Sequence, residues 1–135
     1  RNKMGQPLVV ADVDEGRDDP DTDSLVQHLI GSPRGTLDSL VRTTEGVDVI
    51  PAHNRLADLD SLLQTAATRS DGEFDSVDRL RTVLGQWDGL GQYDLLLVDP
   101  PASTDVRLYN AISATRTLVV PFEPSGKGLE SINGL

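Results

Sequence analysis

Three aspartates follow two apolar runs in this sequence, and their positions indicate chemistry on a metal ion or a phosphate. Asp99 comes directly after the run Leu95–Val98, whereas Asp12 and Asp14 come after the shorter run at residues 7–11 (PLVVA). Carboxylate oxygens are ligands that Mg²⁺ prefers in proteins. The same residue type also caps helices and stabilises turns, so a purely local role for each aspartate stays open.

The elements that must position these carboxylates are strands. An apolar run without alternation, ended by a charge and by Pro100-Pro101, predicts a strand that is buried on both faces of a parallel sheet. Ligands of open α/β sheets bind outside the carboxyl ends of the strands, so two such strands predict one shared site. An apolar strand that ends in Asp is also the form of a Walker B element, whose carboxylate holds the Mg²⁺ of a nucleotide.

The length and composition favour one domain. The chain has 135 residues and no cysteine, which excludes disulfides and thiolate metal sites. No apolar segment approaches the roughly 20 residues that span a bilayer. We therefore expect a soluble, cytoplasmic protein without a membrane contact.

The charge is strongly acidic, with 22 acidic residues against 12 basic ones and a net charge of -10. Such a chain repels nucleic acid on average, so a DNA contact needs a local basic patch or another segment. One hypothesis for so acidic a surface is adaptation to high salt. The alternative is an acidic protein without that adaptation, and unfolding measured across salt concentrations separates the two.

Strands and helices alternate along the chain, which predicts an α/β fold with a doubly wound, mostly parallel sheet and helices on both faces. A fourth strand is predicted at residues 117–120 (TLVV). The acidic loop at residues 15–23 lacks the spacing of a calcium loop, and a solvated loop is the better interpretation. His28 and His53 are too isolated to indicate a metal cluster or a catalytic triad. Helices are predicted after Asp23 or Ser24, after Asn54, after Asp75, after Ser103 or Thr104, and over residues 125–135.

Four blocks of sequence together resemble the ParA/MinD family of partitioning ATPases, the Soj-like members especially. They are GQPLVVADVDEG, VDVIPAHNRLADLDSLL, YDLLLVDPPAS followed by LYNAI, and ATRTLVVPFEPSGKGLESINGL. No single block is specific, but their order and spacing match and they span nearly the whole chain. The fold that this resemblance implies is P-loop NTPase-like.

The resemblance implies a role for each aspartate, with ATP or ADP and Mg²⁺ as the cofactors. Asp99 would be the Walker B acid that holds Mg²⁺ through water, and Asp12 would lie near the metal and its waters. Asp14 would be the catalytic switch carboxylate that orients or deprotonates the attacking water. Mg²⁺ dehydrates reluctantly, so such residues can act without direct ligation.

The departures from the family pattern are as informative as the matches. The phosphate loop, Lys-Gly-Gly-x-Gly-Lys-[Ser/Thr], is absent from the chain, and at the switch the usual Asp-Pro-Gln-Gly is replaced by Asp14-Glu15-Gly16. We therefore interpret residues 1–135 as one partial domain. The first strand and phosphate loop would precede residue 1, and the later strands would follow residue 135. The chain alone is predicted not to hydrolyse ATP. Lys127 is interpreted as a solvated residue.

For the full-length protein, the resemblance implies plasmid or chromosome partitioning by ATP-dependent dimerisation through the nucleotide face. Non-specific DNA and a ParB-like partner protein would be its other partners. Two alternatives stay open: a MinD-like or iron–sulfur-carrier ATPase of the same fold, and a degenerate interaction module without enzyme activity. If the first strand is missing beside the Asp99 strand, the isolated chain is predicted to be marginally stable or prone to aggregation.

Overall fold

The computed structural model describes residues 5–12, 22–52, 54–71, 74–124 and 133. Its strands and α-helices follow one another in the order β1 (Pro7–Asp12), α1 (Leu25–Leu29), β2 (Arg42–Thr44), β3 (Val47–Ala52), α2 (Leu59–Arg69), α3 (Arg79–Gly85), β4 (Leu95–Val98) and α4 (Val106–Ala114). Short 3-10 helices precede β2, α2 and β4, at Leu37–Leu40, Asn54–Asp58 and Asp88–Gln92.

The four strands form one open sheet in the order β2-β3-β1-β4. β1 lies at the centre and pairs in parallel with both β3 and β4, so that Val9 lies between Val49 and Leu97. β2 is antiparallel to β3 and joins it through a turn at Gly46, whose φ of 77° is a conformation that glycine adopts without strain. The α/β class and the mostly parallel sheet are thus confirmed.

One face of the sheet carries the hydrophobic core. Alternate strand residues such as Leu8, Val10 and Ile50 are buried, and the helices pack their apolar stripes against them. The helical side chains in this cluster are Leu25, Leu29, Leu59, Leu63, Leu80, Val83, Leu84 and Val106. All of the described α-helices therefore contribute to one core on one side of the sheet.

The opposite face of the sheet is also apolar, but it is open in the described part of the chain. The strand positions that alternate with the core residues are Pro7, Val9, Ala11, Val47, Val49, Pro51, Leu95 and Leu97. Leu95 is 52% exposed and Leu97 is 47% exposed. The prediction that β4 is buried on both faces is therefore wrong for the described part of the chain, because no described element packs over the second face.

The segment at residues 117–120 is not a strand, which corrects the prediction of a fourth apolar strand there. Val119 is 79% exposed and Leu118 is 60% exposed. A β-strand exists only through hydrogen bonds to a neighbouring strand, and the sheet as described offers none beside this segment. The outer edge of β4 is likewise without a partner strand among the described residues.

The predicted helices in the described part of the chain are present, but some of them begin at other residues than predicted. Ser24 caps α1 by accepting a hydrogen bond from Gln27 N. Asp105, rather than Ser103 or Thr104, caps α4 through Arg107 N. Asn54 opens a 3-10 turn, with α2 beginning only at Leu59, and Asp75 accepts a bond from Val77 N ahead of α3. The predicted helix at residues 125–135 lies outside the described residues except for position 133.

A fully buried carboxylate connects the amino ends of three strands. Asp48 of β3 accepts a hydrogen bond of 2.5 Å from Gln6 Nε2, just before β1, and one of 2.7 Å from the hydroxyl of Tyr93, just before β4. A buried charge is tolerated only when it is hydrogen-bonded. These bonds therefore fix the register of the parallel strands at the end opposite to Asp99.

Replacing Tyr93 by Phe is expected to lower the free energy of unfolding by about 1–3 kcal/mol, because it removes one hydrogen bond from the buried Asp48 carboxylate. The ring, which lies 6.1 Å from that of Trp87, is kept. Urea denaturation of the protein measures the change. Tyr109→Phe is the matched control, since Tyr109 is 48% exposed and should change stability by no more than about 0.5 kcal/mol. An equal effect of both substitutions would contradict the role of the Tyr93 hydroxyl.

Candidate site at the carboxyl ends of the strands

The structure brings two of the three predicted aspartates to one edge of the sheet. Asp12 is the last residue of β1, and Asp99 follows β4, its backbone N donating a 2.9 Å hydrogen bond to Val10 O. Because neighbouring strands lie about 4.8 Å apart and rise about 3.3 Å per residue, the Cα atoms of Asp12 and Asp99 lie about 6 Å from each other. Asp14 lies outside the described residues, as do residues 15–21 of the acidic loop and Lys127.

The Asp99 carboxylate is exposed and uncommitted. Among the described residues, no hydrogen bond or ion pair reaches its side chain, and it does not cap α4, because Asp105 does. Asp99 continues the alternation of Leu95 and Leu97, which belong to the open face of the sheet. A carboxylate in this position can accept hydrogen bonds from the waters of a hydrated Mg²⁺.

One cavity that Asp99 lines is too small for a nucleotide. A cavity of about 60 Å³ lies under Asp99, Pro100 and Pro101, and its other walls are mostly apolar core residues. Ligand pockets commonly measure about 300–1,000 Å³. The described residues therefore supply the exposed Asp99 carboxylate, but this cavity does not enclose a nucleotide.

The loop that carries Asp99 into α4 is held by a charged pair that sequence reasoning missed. Arg107 donates from Nε to both carboxylate oxygens of Asp105 at 3.1 Å, and from Nη2 to one of them at 2.5 Å. The same Nη2 also donates to Ser103 Oγ at 2.9 Å. The Arg107 side chain and the Arg107 N–H lower the pKa of Asp105 from 3.8 to about 2, against an opposing contribution from burial. The only sequence signal was an aspartate at the start of a helix with arginine two residues later.

This pair predicts a pH dependence of stability. The folded-state pKa of Asp105 lies below its unfolded value, so the stabilisation is present above about pH 4 and is lost as the pH falls toward 2. The Asp105 side chain is 35% exposed, so screening keeps the ion pair's contribution to about 1 kcal/mol or less. The unfolding free-energy difference between wild type and Asp105→Asn should shrink from pH 7 to pH 3. A difference that stays constant over this range would contradict the assignment.

Asn110 joins the two helices next to the site. Its Oδ1 accepts a 3.0 Å hydrogen bond from Leu80 N in α3, and its Nδ2 donates to Ser76 O at 2.8 Å and to Val106 O at 2.9 Å. The residue is buried and lines the cavity under Asp99. Its place in the sequence block LYNAI gave no indication of this role, which depends on contacts across 30 residues of chain.

The sequence predicts that both histidines are isolated from other metal-binding or catalytic residues. In the structure, His28 contacts one carboxylate. His28 is buried in α1, and its Nε2 lies 2.7 Å from Asp23 Oδ2, while the other oxygen of Asp23 accepts a bond from Arg34 N. Over the ranges that the structure describes, no group of three His, Cys, Asp or Glu residues could hold a metal ion. His53 lies outside the described residues.

No helix in the described ranges of the chain has the length and apolarity needed to cross a membrane.

Comparisons with solved structures identify the fold. The chain matches a partition protein with a TM-score of 0.66 at 21% identity, over 95% of this chain and 39% of that one. It matches cobyrinic acid a,c-diamide synthase from Mycobacterium smegmatis, solved with an ATP analog and magnesium, with a TM-score of 0.63 at 22% identity, over 96% of this chain and 53% of that one. It also matches the septum site-determining protein MinD from Pyrococcus horikoshii OT3, complexed with Mg-ADP. That match has a TM-score of 0.60 at 18% identity and covers 93% of this chain and 49% of that one.

These likenesses are structural, and the chain spans about half or less of the length of each solved structure it matches. The sequence matches no protein-family model and no curated protein. At identities below 25%, the comparisons establish a shared fold. They confirm the resemblance stated from the sequence at that level and add the cobyrinic acid synthase, which the sequence did not indicate.

Proposed function

We propose that this chain, whose structural neighbours are ParA/Soj/MinD-type partition ATPases and cobyrinic acid synthase, is part of a ParA-type ATPase. The full-length protein would act in plasmid or chromosome partitioning by ATP-dependent dimerisation and DNA binding. The observation that carries the proposal is the exposed carboxylate of Asp99, which has no hydrogen bond or ion pair to the described residues, at the carboxyl edge of a parallel sheet where β1 also ends at Asp12. Two proteins of this fold were solved with an adenine nucleotide or analog and magnesium.

The proposed site is formed by aspartates at and after the carboxyl ends of β1 and β4. Asp99 and Asp12 would hold Mg²⁺ through its waters, and Asp14 would orient the attacking water. Bound Mg²⁺ would neutralise the negative charge that builds up on the phosphates of ATP. The protein's own contribution is positioning: the parallel ladder fixes both strand ends, and the Asp105–Arg107–Ser103 contacts hold the loop after Asp99.

The domain is proposed to be completed by polypeptide outside residues 1–135. A first strand with its phosphate loop would precede residue 1, and further strands would follow residue 135. The unpaired edge of β4, the exposed Leu95 and Leu97 on the open face, and the unpaired apolar segment at residues 117–120 support this. A strand added at the outer edge of β4 would pair with it and would bring the phosphate loop to the edge of the sheet that carries Asp99.

The partners are proposed on the same basis. The full-length protein would form a homodimer through the nucleotide face, and it would contact a ParB-like protein and non-specific DNA in the cytoplasm. Because this chain carries a net charge of -10, the DNA contact is assigned to a basic patch outside it.

A second candidate is a different ATP-using protein of the same fold. The similarity to MinD favours a MinD-like positioning ATPase, and the similarity to the synthase favours the nucleotide-binding part of an amide-forming enzyme. A C-terminal amphipathic helix in the full-length protein would support the first, and a further catalytic domain would support the second.

Hydrolysis assays on two forms of the protein test the proposal. The full-length protein should hydrolyse ATP in a Mg²⁺-dependent manner, and residues 1–135 alone should not. DNA added together with ATP, but not with ADP, should bind to the full-length protein. An absence of ATP binding by the full-length protein would overturn the proposal in favour of a non-enzymatic interaction module.

A further inference from the structure

A second cavity lies between the α1–β2 connection and α3, away from the carboxyl edge of the sheet. Its volume is about 500 Å³, within the range of small-molecule sites. It shares no lining residue with the cavity under Asp99. Leu37, Val83 and Trp87 give it apolar walls, and Arg79 and Val83 line it from one face of α3, with Gln86 at the C-terminal cap of that helix.

Arg79 is an unusual residue in this cavity. Its Nε donates a 2.7 Å hydrogen bond to Leu29 O, and its guanidinium carbon lies 4.3 Å from the centre of the Phe74 ring. Although the chain is rich in carboxylates, Arg79 forms no ion pair with any residue that the structure describes. Burial lowers the pKa of its guanidinium below the ordinary value without a carboxylate to oppose the effect. A partly desolvated cation without a counter-charge favours binding of an anionic group.

Two carboxylates also line this cavity. Asp38 lies in the 3-10 helix before β2, and Asp88 lies in the one before β4. Both are exposed, and neither side chain has a hydrogen bond or ion pair to the described residues. His28 is the remaining titratable group in the wall, and its Nε2 is engaged by Asp23. Counting only partners among the described residues, the cavity therefore presents one unpaired positive charge and two unpaired negative charges beside an apolar wall.

We propose that this cavity binds a small zwitterion with an apolar side chain, of the free α-amino acid class. The ligand's carboxylate would accept hydrogen bonds from Arg79, and its ammonium group would face Asp38 and Asp88. Its side chain would pack on Trp87, Val83 and Leu37. A simple anion would be repelled by the two aspartates, and a simple cation would leave Arg79 unpaired, so the pattern of charges selects a molecule that carries both.

The test uses three related probes and the full-length protein. L-Phenylalanine has both charges, L-phenylalaninamide lacks the carboxylate, and N-acetyl-L-phenylalanine lacks the ammonium group. Calorimetry should show L-phenylalanine binding at least about tenfold more tightly than either analogue, because each analogue loses one charge-assisted contact. Amide NMR shifts should change at residues 28–38 and 79–88.

Variants assign the binding to the named charges. Arg79→Gln should weaken L-phenylalanine binding by about tenfold or more, whereas Arg81→Gln, the same change on the same helix, should not, since Arg81 is 70% exposed and lies 4.0 Å from Asp78. If Arg79→Gln unfolds because its bond to Leu29 is lost, the Asp38→Asn variant, whose side chain contacts no described residue, should still remove the preference over N-acetyl-L-phenylalanine.

Equal binding of all three probes, no binding at millimolar concentration, or equal effects of the Arg79 and Arg81 variants would overturn the proposal. Asp99→Asn should leave L-phenylalanine binding unchanged. The outcome is therefore independent of whether the protein hydrolyses ATP.

Discussion

Replacing Asp99 by Asn in the full-length protein is expected to reduce ATP hydrolysis by about 100-fold or more. The metal's stabilisation of the transferring phosphoryl group is worth several kcal/mol, and each 1.36 kcal/mol corresponds to a factor of ten in rate. Asn keeps the size of the side chain and removes its charge. Because Asp99 is exposed and makes no side-chain contact with described residues, the fold should be unaffected.

The measurement is steady-state phosphate release at several Mg²⁺ concentrations. Asp71→Asn is the matched control: it removes the same charge from an exposed position whose φ of 52° asparagine tolerates well. Hydrolysis should remain within about twofold of wild type in this control. An Asp99→Asn protein that is folded and hydrolyses ATP at the wild-type rate would exclude Asp99 as the magnesium-binding carboxylate.

Leu97→Glu is expected to lower the free energy of unfolding much more in the full-length protein than in residues 1–135 alone. In the isolated chain Leu97 is 47% exposed, so the substitution should change the free energy of unfolding by only about 0.5 kcal/mol and should increase solubility. In the full-length protein, the proposed additional strand and helices would bury this position. The glutamate would then be an unpaired buried charge and would cost about 3 kcal/mol or more.

Denaturant unfolding of both forms, with and without the substitution, measures this difference. Leu63→Ala is the control, because Leu63 is fully buried among the described residues and should destabilise both forms by about 2–5 kcal/mol. Equal, small effects of Leu97→Glu in both forms would mean that the open face stays in solvent. If Leu97→Glu abolishes dimerisation and leaves the stability of the monomer unchanged, a second copy of the protein covers the open face instead.

The sequence predicted the parts of the fold that local pattern determines. The apolar runs before Asp12 and Asp99 are strands, and both end at one edge of the sheet because parallel strands share their carboxyl ends. Ser24 is a helix cap, and Gly31, with a φ of 82°, follows the end of α1 as a chain-reversing glycine. These features depend on residues close together in the chain.

What the sequence did not predict depends on distant contacts. The segment at residues 117–120 has the composition of a strand, but pairing requires a neighbour that the described sheet lacks. The contacts of Asn110 with Ser76 and Leu80, and of Tyr93 with Asp48, join residues that are 30 or more positions apart. No periodicity marks such pairs. The roles of Asp12, Asp14 and Asp99 in catalysis remain predictions.

The coding sequence upstream of Arg1, together with the intact mass of the expressed protein, tests the central proposal most directly. We expect about 15 to 30 residues before Arg1 that contain a strand and a Gly-Lys-[Ser/Thr] phosphate loop, which would supply the missing neighbour of β4. An upstream sequence without such a loop, or a mature protein that begins at Arg1, would contradict an ATPase function.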